Sequence, residues 1–376
     1  MKPLSRIVPP SLTMSLDQEA KRLLAGGRDI INLTAGQADQ PMPAEGKAAV
    51  RAALEADRTG YVPAAGSADL KEAVRKKKGW TDGSILISAG AKPLLNAAAA
   101  CVLGAGDEAL LPVPCYTSYP EMIRLSGAVP VSVPCRPENG FCVTPDDLSA
   151  GLTPRTKALL LNHPTNPTGA VYARDALKGI VDFCIAHDLW LLADEVYGAF
   201  VYDGGFTSLY DFPEIRDRLI LVDSASKTYA MAGLRLGYAV APDAAAQAMA
   251  GYLSHAIGCP CSLSERAALA VLSVGDPYPA ALRDVFHARR DRMRAVLSDL
   301  PGVRVAGGDG AFYLWLDVTG IDPDDVRFCR RLLTEEGVAL TPGSAFLAPG
   351  FVRLAYTKDA SLLAEAADRI RRFCTD

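Results

Sequence analysis

LWLLADEVYG, residues 189–198, is a run of apolar side chains that stops at a carboxylate, Asp194, with Glu195 and Tyr197 just beyond it. A strand with one wet face alternates apolar and polar residues, so an uninterrupted run belongs to a strand covered on both faces. The pattern recurs in EALLPV (108–113), AVPVSV (128–133), TKALLLN (156–162) and RLILVD (218–223), with helix-like segments between them. Strands and helices alternating this way predict an α/β fold: a mainly parallel sheet flanked by helices, in a large domain spanning residues 40–278.

Downstream, VRVAGGDGAFYLWLDV (303–318) and GFVRLAY (350–356) read as strands. DPDDVRFCRRLLTEEG (322–337) and DASLLAEAADRIRRF (359–373) read as amphipathic helices. They predict a smaller α+β domain from residues 279–376, joined by an N-terminal arm, residues 1–39. A chain of 376 residues has the length for two such units.

Charge and composition narrow the function. Lys and Arg number 39 against 43 Asp and Glu, a net charge of −4 with no basic block for a nucleic-acid backbone. The opening MKPLSRIVPPSLTMS lacks the apolar core of a signal peptide, and no apolar run has the length of a membrane span, so a cytoplasmic protein is expected. Nine cysteines, scattered except for Cys259 and Cys261, and four histidines give no zinc-ligand spacing, so no metal is expected. No G-x-G-x-x-G follows an early strand, which argues against a dinucleotide-dependent oxidoreductase.

In an open parallel sheet, ligands bind beyond the carboxyl ends of the strands. Three apolar runs lead there into polar residues: TKALLLN into HPTNPTG with Asn166, LWLLA into Asp194, and LILVDSAS into Lys227. An amide, a carboxylate and an amine are thus directed to one edge. Upstream, ILISAGAKPLLNAAAACVL (85–103) reads as strand, tight turn and helix. The backbone N–H groups of Gly90, Ala91 and Lys92 at that helix start suit an anion, although the Walker signature is missing.

An imine-forming amine, a partner for a ring nitrogen and a phosphate cradle are the needs of pyridoxal 5′-phosphate. The chain resembles the class I aminotransferases of the aspartate aminotransferase family, in its bacterial-type subgroup and fold type I of the pyridoxal phosphate enzymes. The resemblance runs through INLTAGQADQP (31–41), GYVPAAG (60–66), NHPTNPTGAVY (162–172), LLADEVY (191–197), SASKTYAMAGLRLGY (224–238), TPGSAF (341–346) and VRLAYT (352–357). It implies a seven-stranded large-domain sheet in which the strand after Arg235 runs antiparallel, a cis Asn166–Pro167 peptide, and a homodimer with shared active sites.

By the same resemblance, Lys227 is the imine-forming lysine and proton carrier, and Asp194 pairs with the ring nitrogen. Asn166 and Tyr197 bind the ring hydroxyl, and Tyr116 stacks on the ring where many relatives have tryptophan. Ser224, Arg235 and the Gly90–Ala91–Lys92 turn hold the phosphate, joined by Tyr61 from the partner. Arg353, with the backbone of Gly36 and with Asn166, takes the substrate α-carboxylate. Lys92, Ser11 and Thr13 would read an acidic side chain, which implies transfer from aspartate or glutamate to a 2-oxo acid. His163 replaces a small residue and reads as packed or solvent-facing. Aromatic or neutral donors, a C–S β-lyase on the same scaffold and a regulatory sensor of this fold are the alternatives.

Overall fold

The computed structural model describes residues 12–375, with side chains from residue 16 onward. Its strands, in chain order, are β1 (Ile31–Asn32), β2 (Ser84–Ser88), β3 (Glu108–Val113), β4 (Val129–Pro134), β5 (Thr156–Asn162), β6 (Trp190–Asp194), β7 (Leu219–Ser224), β8 (Gly237–Ala241), β9 (Arg304–Gly307), β10 (Tyr313–Asp317), β11 (Val338–Ala339), β12 (Thr341–Pro342) and β13 (Phe351–Ala355).

The seven strands β2 to β8 form one sheet in the order β2-β8-β7-β6-β5-β3-β4, and β8 is antiparallel to both its neighbours while the other pairings are parallel. In β3, β5, β6 and β7 the unbroken apolar runs are accounted for by burial on both faces, whereas in β4, the edge strand formed by AVPVSV, only Val133 is fully buried and Val129 is exposed. Leu110, Leu159, Leu191 and Leu221 pack into one cluster, with the helix Arg174–Ala186. Leu111, Leu160, Leu192 and Val222 pack into another, with the helices Ala91–Val102 and Asp243–Ala256. Burying a leucine or valine side chain contributes about 1.5–3 kcal/mol, so a two-faced sheet of this size is the main source of cohesion.

A second, four-stranded antiparallel sheet has the order β12-β13-β10-β9, and β1 pairs with β11 in a separate two-residue parallel ladder. The helices Asp325–Glu335 and Ala360–Thr375 bury Phe328, Leu332, Leu363 and Ile370 in the same apolar cluster as Leu314 and Leu354. Leu16 and Ala20, from the helix Leu12–Ala25, join it.

Register decides what reaches the edge of the large sheet. Asn162 pairs with Asp194, Asp194 with Val222, and Ser224 with Gly237, which also pairs with Ser88. Because β8 runs backwards, its beginning lies where the other strands end, and Arg235 arrives there just before it. The Asn166–Pro167 peptide is cis, as are Val113–Pro114 and His163–Pro164. No helix among the described residues is long and apolar enough to cross a membrane.

Candidate active site

At that edge lies a pocket of about 380 Å³ whose wall includes Lys227, Asp194, Asn166, Tyr197, Arg235 and Arg353. Gly36, Ala91, Lys92, Tyr116 and Ser224 also line it. These residues come from seven separate stretches of sequence and meet in one cavity, and Asn166, Asp194 and Lys227 reach it from strand ends, as their positions after apolar runs predict.

Lys227 sits on the single helical turn Ala225–Thr228 that follows β7, started by Ser224, whose hydroxyl accepts from the backbone N–H of Ser226 at 3.1 Å. Its Nζ donates to the Gly36 carbonyl at 2.6 Å. Burial, followed by the nearby charges of Arg353 and Arg235, pulls the ammonium down to about 8, although Asp194 acts in the opposite direction. At neutral pH a measurable fraction is the free amine, the form able to attack a carbonyl or take up a proton.

Asp194 ends β6 and is 5% exposed. Burial raises its carboxyl to about 6, against two hydrogen bonds that favour the charged form: the Tyr119 hydroxyl donates to Oδ2 at 2.7 Å and the Val196 N–H to Oδ1 at 3.2 Å. It stays largely ionised at pH 7 and lies ready for a cationic N–H. Tyr119, in CYTSYPEM (115–122), was not singled out by the sequence; only the fold brings it across 75 residues to Asp194.

Asn166 is buried, its backbone N–H held by Asn162 Oδ1 at 2.7 Å. Its Oδ1 accepts from Arg353 Nη1 at 2.7 Å, which leaves the amide nitrogen to donate into the pocket. The other guanidinium arm of Arg353 donates to the Thr34 carbonyl at 2.5 Å, and its Nε, also buried, has no partner among the described residues. The ring of Tyr313 lies 4.3 Å from this guanidinium, and the Tyr313 hydroxyl meets that of Tyr197 at 2.8 Å. Tyr313 is a pocket residue that sequence reasoning missed. A side chain on Gly36 would collide with its phenol ring, which explains why the 35–37 turn needs glycine there.

The anion cradle is equally compact. Gly90 has φ +100° and starts the twelve-residue helix Ala91–Val102. Arg235 adopts the left-handed conformation at φ 53°, a cost of about 1–2 kcal/mol for a non-glycine residue. That geometry turns its guanidinium onto the Gly90 turn, where any Cβ on Gly90 would strike it. A Cβ on Gly237 would strike the Gly90 backbone, so both glycines are required by the close approach of β8 to the helix start. A helix N-terminus, a guanidinium and the hydroxyl-bearing turn at Ser224 and Ser226 suit a phosphate dianion. Ser226 was not anticipated.

Tyr116 lines the pocket, edge-on to Tyr119, with Lys92 Nζ 5.3 Å from its ring centre. Tyr61 is fully exposed and contributes nothing to the pocket of its own chain. Ser11, and the side chain of Thr13, lie outside the described residues. His163 does not line this pocket: it is buried, stacked on Phe206 and edge-on to Tyr172, so of the two readings the packed one holds. An unforeseen carboxylate, Asp17, does line it.

A recessed amine of lowered pKa, an ionised carboxylate, an anion cradle beside them and an orphaned guanidinium N–H fit pyridoxal 5′-phosphate and an α-carboxylate. The comparisons with known proteins agree. The family model for aminotransferase class I and II matches residues 28–370. The aspartate/prephenate aminotransferase of Cereibacter sphaeroides is 37% identical, covering 98% of this chain and 96% of the relative. The aspartate aminotransferase of Geobacillus stearothermophilus is 35% identical over 97% and 96% of the two chains. Among solved structures, the aspartate aminotransferase of Thermus thermophilus with maleate superposes with a TM-score of 0.94 at 35% identity, covering 99% of this chain and 100% of the other.

Proposed function

Because this chain belongs to the class I and II aminotransferases, a pyridoxal 5′-phosphate-dependent family, we propose that it moves the amino group of an acidic amino acid, aspartate or glutamate, to a 2-oxo acid. The observation that carries the acidic preference is Lys92. Its ammonium lines the pocket, lies over the Tyr116 ring, and forms no ion pair among the described residues. A positive charge without a carboxylate partner suits a side-chain carboxylate of the donor. The names of the relatives, aspartate and aspartate/prephenate aminotransferases, support the same reading.

In this reading Arg353 fixes the donor's α-carboxylate through the N–H it has left over, and Tyr313 backs the guanidinium plane. Lys227 Nζ, once released from the Gly36 carbonyl, would carry the proton between the donor's Cα and the cofactor's C4′, the carbon of its aldehyde. When bound, the cofactor supplies an aldehyde carbon for imine formation and a ring that spreads the charge left at Cα. Asp194 holds a proton on the ring nitrogen, an interaction that strengthens as that charge develops. The Asn166 amide and the Tyr197 hydroxyl would steady the ring oxygen, Tyr116 would cover the ring face, and the backbone N–H groups of the Gly90–Ala91–Lys92 turn, with Ser224 and Arg235, would anchor the phosphate.

The unit at work is a homodimer in which Tyr61, fully exposed on its own chain, reaches the phosphate of the partner. Residues 40–278 form the cofactor-binding domain, and 1–39 with 279–376 the smaller one. The test is a single-turnover assay of the purified enzyme, following conversion of the bound aldehyde form to the amine form by absorbance. Aspartate and glutamate are expected to convert it at least ~10-fold more efficiently than alanine or phenylalanine, the factor of one well-placed charge contact. Equal efficiency for all four donors overturns the acidic reading.

A further inference from the structure

The pocket that holds Lys92 also holds a fixed negative charge, Asp17, on the helix Leu12–Ala25. This carboxylate is built into the wall. Its Oδ1 accepts from Asn32 Nδ2 at 2.8 Å and from the Thr34 hydroxyl at 3.2 Å, and its Oδ2 meets Lys21 Nζ at 2.6 Å. Thr34 is the same residue whose carbonyl receives Arg353. Partial burial pushes the carboxyl up, but the donors Lys21, Asn32 and Thr34 outweigh it and hold it below the usual carboxylate range, so it is ionised throughout the neutral region.

Lys21 does not cancel this charge. Its side chain is 66% exposed, and an ion pair at that exposure is weak and screened by salt. With one bond on Oδ2, the carboxylate retains acceptor capacity for another donor. A pocket with Lys92 and Asp17 in its wall has one site for an acceptor and one for a donor. A side-chain carboxylate offers acceptors only and meets Asp17 as a like charge. A side-chain amide offers both, a carbonyl for Lys92 and an NH2 for Asp17.

We propose that Asp17 is a specificity-determining residue that admits amide-bearing amino acids, asparagine and glutamine, as amino donors alongside the acidic ones. The inference rests on the assignment of Lys92 to the donor's side chain. Its distinguishing quantity is the ratio of kcat/KM for the amide to kcat/KM for the matching acid, taken for asparagine against aspartate and glutamine against glutamate. A structural disturbance lowers both members of each pair together; a charge effect moves the ratio.

The experiment measures those four donors with the holoenzyme at low and high ionic strength. Asp17→Asn keeps an acceptor for Thr34 but removes the charge, and is expected to lower the amide-to-acid ratio by about five- to tenfold, the size of a partly screened charge pair. Lys21→Gln, a change at an exposed position, bares Asp17 and is expected to raise the ratio, and added salt is expected to shrink both effects. Ratios unmoved by Asp17→Asn and by Lys21→Gln overturn the role of Asp17. Lys92→Ala separates the two readings: if it leaves aspartate turnover intact, the assignment of Lys92 falls, and the Asp17 ratios stand or fall on their own measurement.

Discussion

Asp194 and Glu195 are consecutive, both buried, and both raised by burial, to about 6 and about 8 respectively, yet they serve different regions of the molecule. Asp194 faces the pocket, where Tyr119 and the Val196 N–H leave it one open side. Glu195 turns into the protein behind the sheet edge. There its Oε2 accepts from the Ser208 hydroxyl and its Oε1 from the Leu209 N–H, both at 2.7 Å, and the ion pair of Lys78 with Asp223 is close enough to act on it. Burial alone therefore does not mark a functional carboxylate. What separates the two is a cavity in front of one and a sealed hydrogen-bond set around the other.

The strongest way to break this contrast is paired substitution. Asp194→Asn is expected to cut kcat by about 10²–10³-fold while the protein still folds and binds cofactor, because it removes a charge needed as the reaction proceeds. Glu195→Gln is expected to leave kcat near wild type, since the raised carboxyl already carries a proton at neutral pH and the amide has nearly the same shape. Steady-state kinetics with the cofactor content checked by absorbance decides it; similar losses for both variants would erase the distinction between pocket and flank.

A smaller effect sharpens the flank. Glu195 has a folded pKa of about 8, raised by burial above its unfolded value near 4.5, so between those values the folded state binds the extra proton. Stability must then fall as pH rises through that window. Thermal unfolding from pH 6 to pH 8 is expected to lose about 4 °C of Tm more in wild type than in Glu195→Gln, whose amide does not titrate. Parallel curves would mean that Lys78 keeps Glu195 ionised after all.

The same two regions explain what could be read from the sequence. TKALLLN matches β5 residue for residue, and LWLLAD and RLILVD match β6 and β7 to within one, because two-faced burial leaves a run of apolar residues that needs no tertiary knowledge to recognise. Asn166, Asp194 and Lys227 were legible for the same reason: each follows such a run. Arg353 carries no such mark and was reached only through resemblance. Tyr119, Tyr313 and Asp17 were invisible, since each acquires its role by meeting a partner from a distant segment: Tyr313 finds Tyr197 across 116 residues. The ladder of β1 with β11 was equally hidden, being two residues long, too short for any periodicity.

His163 offers the finest test of the sealed region, because it lies one residue beyond β5 yet points away from the pocket. Its Nδ1 accepts from the Tyr172 N–H at 3.3 Å, which requires the neutral ring. Burial lowers its pKa to about 4 from an ordinary 6.5. Between those values the unfolded chain binds the proton and the folded one does not, so the contribution is full above pH 6.5 and is lost as pH falls toward 4. His163→Phe keeps an aromatic ring for Phe206 and Tyr172 but cannot titrate. Its Tm is expected to start lower, since the Tyr172 N–H loses its acceptor, and then to decline about 2 °C less than wild type from pH 7 to pH 5.5. If the two slopes coincide, the imidazole has found a way to charge inside the fold, and the region behind the pocket is more open to water than its packing implies.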